Sequence, residues 1–78
     1  VTKTRTAYAV EQRLRLLDFL LAQYGTFNRS ALCDYFGISD AQASADVKAY
    51  LELAPGNMRY DLSGKVYRRA EKFQRVYS

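Results

Sequence analysis

Between Tyr35 and Gln42 the chain stops one helix and starts another with almost no interval. Gly37 suits the left-handed position that closes a helix, and Ser39 followed three residues later by Gln42 forms a capping box that opens the next. Ile38, caught between them, is placed to plug the corner. Two helices joined so tightly form a helix-turn-helix unit. Upstream, Val10, Leu14, Leu17, Leu21 and Tyr24 recur every three or four positions, Leu20 widens the stripe, and Glu11, Gln12, Arg15 and Asp18 face away. This predicts a first helix over 8–24, closed by Gly25. Asn28 is the expected N-cap of a short second helix from about Arg29 to Phe36, with Ala31, Leu32, Tyr35 and Phe36 as its apolar face. On the third helix Ala43, Val47, Tyr50, Leu51 and Ala54 share the inward face. Ala41, Ala45, Lys48 and Glu52 point the other way, flanked by Gln42 and Ser44, and Pro55-Gly56-Asn57 ends the helix.

Beyond that breaker the period changes to two: Met58 and Tyr60 fall on one side of a short strand and Arg59 on the other. Asp61-Leu62-Ser63-Gly64 suits a type I turn, and Lys65-Val66-Tyr67-Arg68 returns as a second strand. The expected register sets Met58 opposite Tyr67, with Arg59 and Arg68 outward. The fold class is therefore mainly α with a small β-hairpin, a winged helix-turn-helix of three helices and a two-stranded wing. The expected organisation is a basic N-terminal arm at 1–7, the winged domain at 8–69, and a linker or loosely docked extension at 70–78.

Seventy-eight residues suffice for one domain. Seven Tyr and four Phe in a 49% apolar chain exclude a disordered tail, although a core this small leaves stability marginal. The chain has no His and one Cys, which removes the usual zinc-ligand sets, most acid–base and nucleophilic sites, and any disulfide within the chain. No enzyme, metal or cofactor is expected. Cys33, between Leu32 and Asp34, is expected to be a small buried hydrophobe in a reducing cytoplasm. Ser63-Gly64-Lys65 lacks the earlier glycine and following hydroxyl of a phosphate loop, since Arg59 and Val66 hold those positions. No apolar run approaches the roughly 20 residues that span a bilayer, and neither a signal peptide nor a membrane partner is expected.

Charge is unevenly spread. Residues 1–15 carry Lys3, Arg5, Arg13 and Arg15 against Glu11, a net +3, whereas residues 16–56 are net −3 and residues 57–78 net +4. Basic ends suit a polyanion, and equally suit simple solubility. The third helix is more specific. Ala41, Ser44 and Ala45 are small, so its backbone can approach another surface closely, and a DNA major groove about 12 Å wide admits one helix. Gln42 is then a candidate to pair with adenine, Ser44 a donor or acceptor, and Ala41 and Ala45 partners for thymine methyls. Lys48 would reach a phosphate or a guanine. Asn28, Arg29 and Ser39 border the same helix starts, where free amides can hold a phosphate. Arg59, Lys65 and Arg68 on the wing would add sequence-independent affinity, and Lys3-Thr4-Arg5 would reach a minor groove or the backbone. The small-residue face equally suits packing against a protein, which leaves a protein-interaction winged helix without DNA binding as the alternative. Asp46 borders the core and is expected to partner a backbone group or an Arg, while Asp40 complements the helix dipole.

Phe27-Asn28-Arg29-Ser30-Ala31-Leu32, Phe36-Gly37-Ile38-Ser39, Gln42-Ala43-Ser44-Ala45-Asp46-Val47 and Leu53-Ala54-Pro55-Gly56-Asn57, with Tyr60-Asp61 and Lys65, together carry a resemblance. The chain resembles the N-terminal winged helix-turn-helix of WYL-domain transcriptional regulators, particularly those of bacterial phage-defence islands. The resemblance implies a homodimeric repressor of a defence-type operon that binds double-stranded DNA at a palindromic operator. It also implies a prokaryotic cytoplasmic protein, at the nucleoid when bound, with a WYL domain and a dimerisation element following this module. Related domains often carry Arg where this chain has Ser44 and Ala45, so affinity would shift to the wing and arm.

Overall fold

The computed structural model describes the backbone of residues 2–77 and the side chains of residues 8–77, and local caps set most of its helix boundaries. Helix α1 (Thr2–Tyr24) ends at Gly25, whose φ of 77° lets its N–H return to the Leu21 carbonyl. Helix α2 (Arg29–Phe36) starts where the Asn28 side chain accepts from the Ala31 N–H, and stops at Gly37 in the left-handed conformation. Helix α3 (Asp40–Leu53) starts at Ser39, whose Oγ accepts from the Gln42 N–H at 3.1 Å. Only half of the expected capping box is made, because the Gln42 side chain turns to Asp46 instead of back to Ser39. The expected basic arm, with Lys3 and Arg5, lies outside the described side chains; its backbone from Thr2 continues α1.

The sheet has three strands where two were expected. Strand β1 (Thr26–Phe27) pairs antiparallel with β3 (Val66–Arg69), which pairs on its other side with β2 (Met58–Asp61). The hairpin register sets Tyr60, not Met58, opposite Tyr67, and Met58 opposite Arg69. Its loop is longer than a two-residue turn: Lys65, in the left-handed region at φ 57°, closes it by donating its N–H to the Asp61 carbonyl at 2.7 Å. A slip of two residues returns every side chain to its own face, so Arg59 and Arg68 still lie on the side away from the helices.

Leu14, Leu17 and Leu21 of α1, Phe27, Leu32, Ala43, Val47, Tyr50 and Met58 form the core. Each large apolar side chain fully buried there contributes about 2 kcal/mol. Ile38 packs against its edge, as expected for a corner plug. Two tyrosines assigned inward are instead in solvent: Tyr24 is 69% exposed and Tyr35 73%. Tyr60 is also largely exposed. The largest departure concerns Asp18, expected to face solvent, which is completely buried. Its carboxylate accepts from the Tyr50 hydroxyl at 2.5 Å, Arg75 Nε at 2.7 Å and the backbone N–H groups of Val76 and Tyr77 at 3.1 Å.

Those bonds hold residues 70–77 against the bundle as a strap, where a linker or loose extension was expected. Asn57, buried just after the helix breaker, fixes the same strap: its Nδ2 donates to the Gln74 carbonyl and its Oδ1 accepts from the Gln74 N–H. Arg69 donates to the carbonyls of Leu21 and Ala22 at the C-terminal end of α1, where a cation also complements the helix dipole. Buried charge is tolerable here because every buried side-chain polar atom among the described residues has a partner.

Candidate nucleic-acid interface

The outward side of α3 is bare. Ser39, Ala41, Gln42, Ser44, Ala45 and Lys48 are all exposed, while Ala43, Asp46, Val47 and Tyr50 on the opposite side are buried. This separation follows from sequence: the apolar residues at helical spacing turn inward and leave the small ones in solvent.

The wing and the start of α2 meet this side around a groove of about 320 Å³ lined by Asn28, Arg29, Ser30, Asp40, Tyr60, Lys65 and Tyr67. A second hollow, bordered by Arg29, Ser44, Tyr60 and Tyr67, continues it toward α3. Arg29 spans the two helices by donating from NH1 to Ser44 Oγ at 2.5 Å. Thus Asn28, Arg29, Ser44 and Lys65 come together. Arg59 and Arg68 do not join them, since they lie on the opposite face of the hairpin. Arg68 is further occupied by Asp61, its Nε 2.5 Å from Oδ2. Asp61 also accepts from the N–H groups of Ser63 and Gly64, and the Arg68 guanidinium is the main reason its carboxyl lies below the usual aspartate range.

Several contributors escaped sequence reading. Tyr60, expected in the core, is exposed and lines the groove edge-to-face with Tyr67, ring centroids 4.9 Å apart, while Tyr67 packs against the core as expected and also borders the groove. Asp46 is held as expected by an Arg, which is Arg13 of α1 with Nε 2.5 Å from Oδ2, but it also accepts from Gln42 Nε2 at 3.1 Å. The four-residue spacing of Gln42 and Asp46 was a legible signal for that contact; the identity of the arginine was not. Cys33 is half-buried rather than fully buried, with Sγ 3.4 Å from Asp40 Oδ1. Burial, then the Asp40 carboxylate, push its thiol up, which keeps it in the unreactive protonated form.

A family model described as the BrxR transcriptional regulator winged helix-turn-helix domain matches residues 9–78. The chain belongs to that family. The BrxR-family domain is 51% identical over 67 residues, 86% of its length, to the DNA-binding transcriptional repressor CapW of Escherichia coli strain KTE188. Identity to proteins of the same description is 46% over 67 residues in Pseudomonas aeruginosa and 34% over 73 residues in Stenotrophomonas maltophilia. The chain spans only 22 to 24% of the length of these curated relatives. Membership places this domain with the winged helix-turn-helix domains of BrxR transcriptional regulators, in agreement with the resemblance carried by its helix-turn-helix and Leu53–Asn57 segments. Among its described residues no helix is long and apolar enough to cross a membrane.

Proposed function

We propose that this domain binds double-stranded DNA as the sequence-reading module of a transcriptional repressor, with α3 in the major groove and the wing on the sugar–phosphate backbone. The observation that carries this reading is the bare side of α3, where Ala41, Ser44 and Ala45 leave room for the helix to sit deep in a groove. Gln42 is the principal base reader. Ser44 is a lesser one because it already accepts from Arg29, and Ala41 and Ala45 meet thymine methyls. Asn28, Arg29, Ser39 and Lys65 surround a backbone phosphate beside the groove, and Lys48 takes the next phosphate along α3. Arg59 and Arg68 act at longer range from the far face of the wing. The relatives' description as DNA-binding repressors supports the same reading. The whole protein is proposed to be a homodimer on a palindromic operator that controls a defence-type operon.

Titration of labelled duplexes with the 78-residue chain at two salt concentrations tests this. The expected result is log–log salt dependence with a slope of about −0.9 per phosphate neutralised. Absence of binding at low salt, or binding indifferent to salt, would instead favour a surface for protein partners.

A further inference from the structure

The side-chain amide of Gln42 is not free to turn. Asp46, almost fully buried, offers only acceptor oxygens: Oδ2 takes Arg13 Nε at 2.5 Å, while Oδ1 takes Arg13 NH2 at 3.2 Å and Gln42 Nε2 at 3.1 Å. Turned the other way, Gln42 would set Oε1 against Oδ1, lone pair to lone pair. The bond also draws Gln42 away from Ser39, where a capping box would have used it. Among the described hydrogen bonds nothing donates to Oε1, and Gln42 is an exposed residue, so that acceptor is open to an outside donor.

We infer that Arg13 and Asp46 are positioning residues for base recognition: they present Gln42 Oε1 outward, so the domain reads a base that carries an exocyclic amino group in the major groove. Adenine and cytosine offer that donor, whereas guanine and thymine present acceptors there that Oε1 would repel. Adenine is the better of the two, because the second Nε2 hydrogen is left for its N7. This inference rests on the DNA-binding reading and adds the chemistry of one contact to it. A purely structural role, in which the Arg13–Asp46 pair only ties α1 to α3, predicts no effect on which base is chosen.

The test uses the 78-residue chain. Selection from random duplexes, run in parallel with Gln42→Ala, locates the position whose preference depends on Gln42. That base pair is then rebuilt with its amino group deleted, or with purine N7 replaced by carbon. Deleting the amino group is expected to weaken wild-type binding about tenfold and Gln42→Ala hardly at all. Asp46→Asn, which lets the amide turn either way, is expected to lose most of that tenfold discrimination while binding random duplex as before. A dependence on N7 alone, or full discrimination in a folded Asp46→Asn variant, would overturn the inference while leaving DNA binding intact. Should that variant fail to fold, NMR of the free wild-type chain decides: cross-relaxation between the Gln42 amide protons and the Arg13 guanidinium supports the tether, and its absence refutes it. Failure to bind any duplex would remove the underlying reading, and this inference with it.

Discussion

Both oxygens of the Asp18 carboxylate face donors from the far end of the chain, and Oδ1 also receives the Tyr50 hydroxyl of α3. Burial by itself would raise the pKa of such a group; the bonds from Tyr50, Arg75, Tyr77 and Val76 more than offset it and hold the carboxyl below the usual aspartate range. Tyr50 is pushed the other way, up, by its burial and then by the carboxylate it serves. A depressed folded-state pKa means that the stabilisation is fully present above the unfolded value, about 3.9, and is lost as pH falls through the folded one. Acid unfolding of wild type should therefore steepen below about pH 4, and Asp18→Asn should flatten that limb, as followed by circular dichroism against pH. At neutral pH the same substitution is expected to cost about 3 kcal/mol in urea unfolding, because a charged acceptor of several bonds is removed from a buried site. At the Gln42 position, Gln42→Ala should lose about 1 to 3 kcal/mol on the selected operator and far less on random duplex, with a modest drop in thermal midpoint from the lost bond to Asp46. Equal losses on both duplexes would remove Gln42 from its assigned role.

Among the elements, the wing separates charge from conformation. Lys65 holds a left-handed backbone that costs a non-glycine residue about 1 kcal/mol, so Lys65→Gly trades that strain against the added freedom of glycine, about 0.5 to 1 kcal/mol, and should leave stability nearly unchanged. DNA binding should still weaken alike on all sequences, and the salt slope should fall by about 0.9, the loss of one phosphate contact. Sequence-selective loss would place Lys65 at a base instead. The wing also marks where sequence reading stops. The helices were legible because their signals are local: a cap residue, a period of 3.6, a glycine at the stop. Strand β1 was not, because two residues between Gly25 and Asn28 carry no period, and their pairing depends on β3 some forty positions later. The register was missed for a related reason, since four loop residues ending in a strained lysine violate the usual preference for glycine. On α3 the exposure of the small residues was legible from their helical spacing. The tether on Gln42 stayed hidden because its anchor, Arg13, belongs to another helix.

For the whole molecule the decisive unit is longer than the winged domain expected at 8–69. Ending the chain at Arg69 would leave Asp18 buried without Arg75 or the two amides, and Asn57 without Gln74. Uncompensated burial of a charge costs about 3 to 5 kcal/mol, a large share of what a domain of this size possesses. The 1–69 fragment is accordingly expected to be largely unfolded at 37 °C by circular dichroism, and a cooperative melt like that of the full chain would contradict the account. The Asp18 contacts also have a temporal side. They join residues 57 to 59 positions apart, so a polypeptide emerging from the ribosome can wind its helices early yet gives the acid in α1 only the Tyr50 hydroxyl as a partner, and no counter-charge, until Arg75, Val76 and Tyr77 have been added. Closure of the Asp18 site waits on the codons for Arg75 to Tyr77.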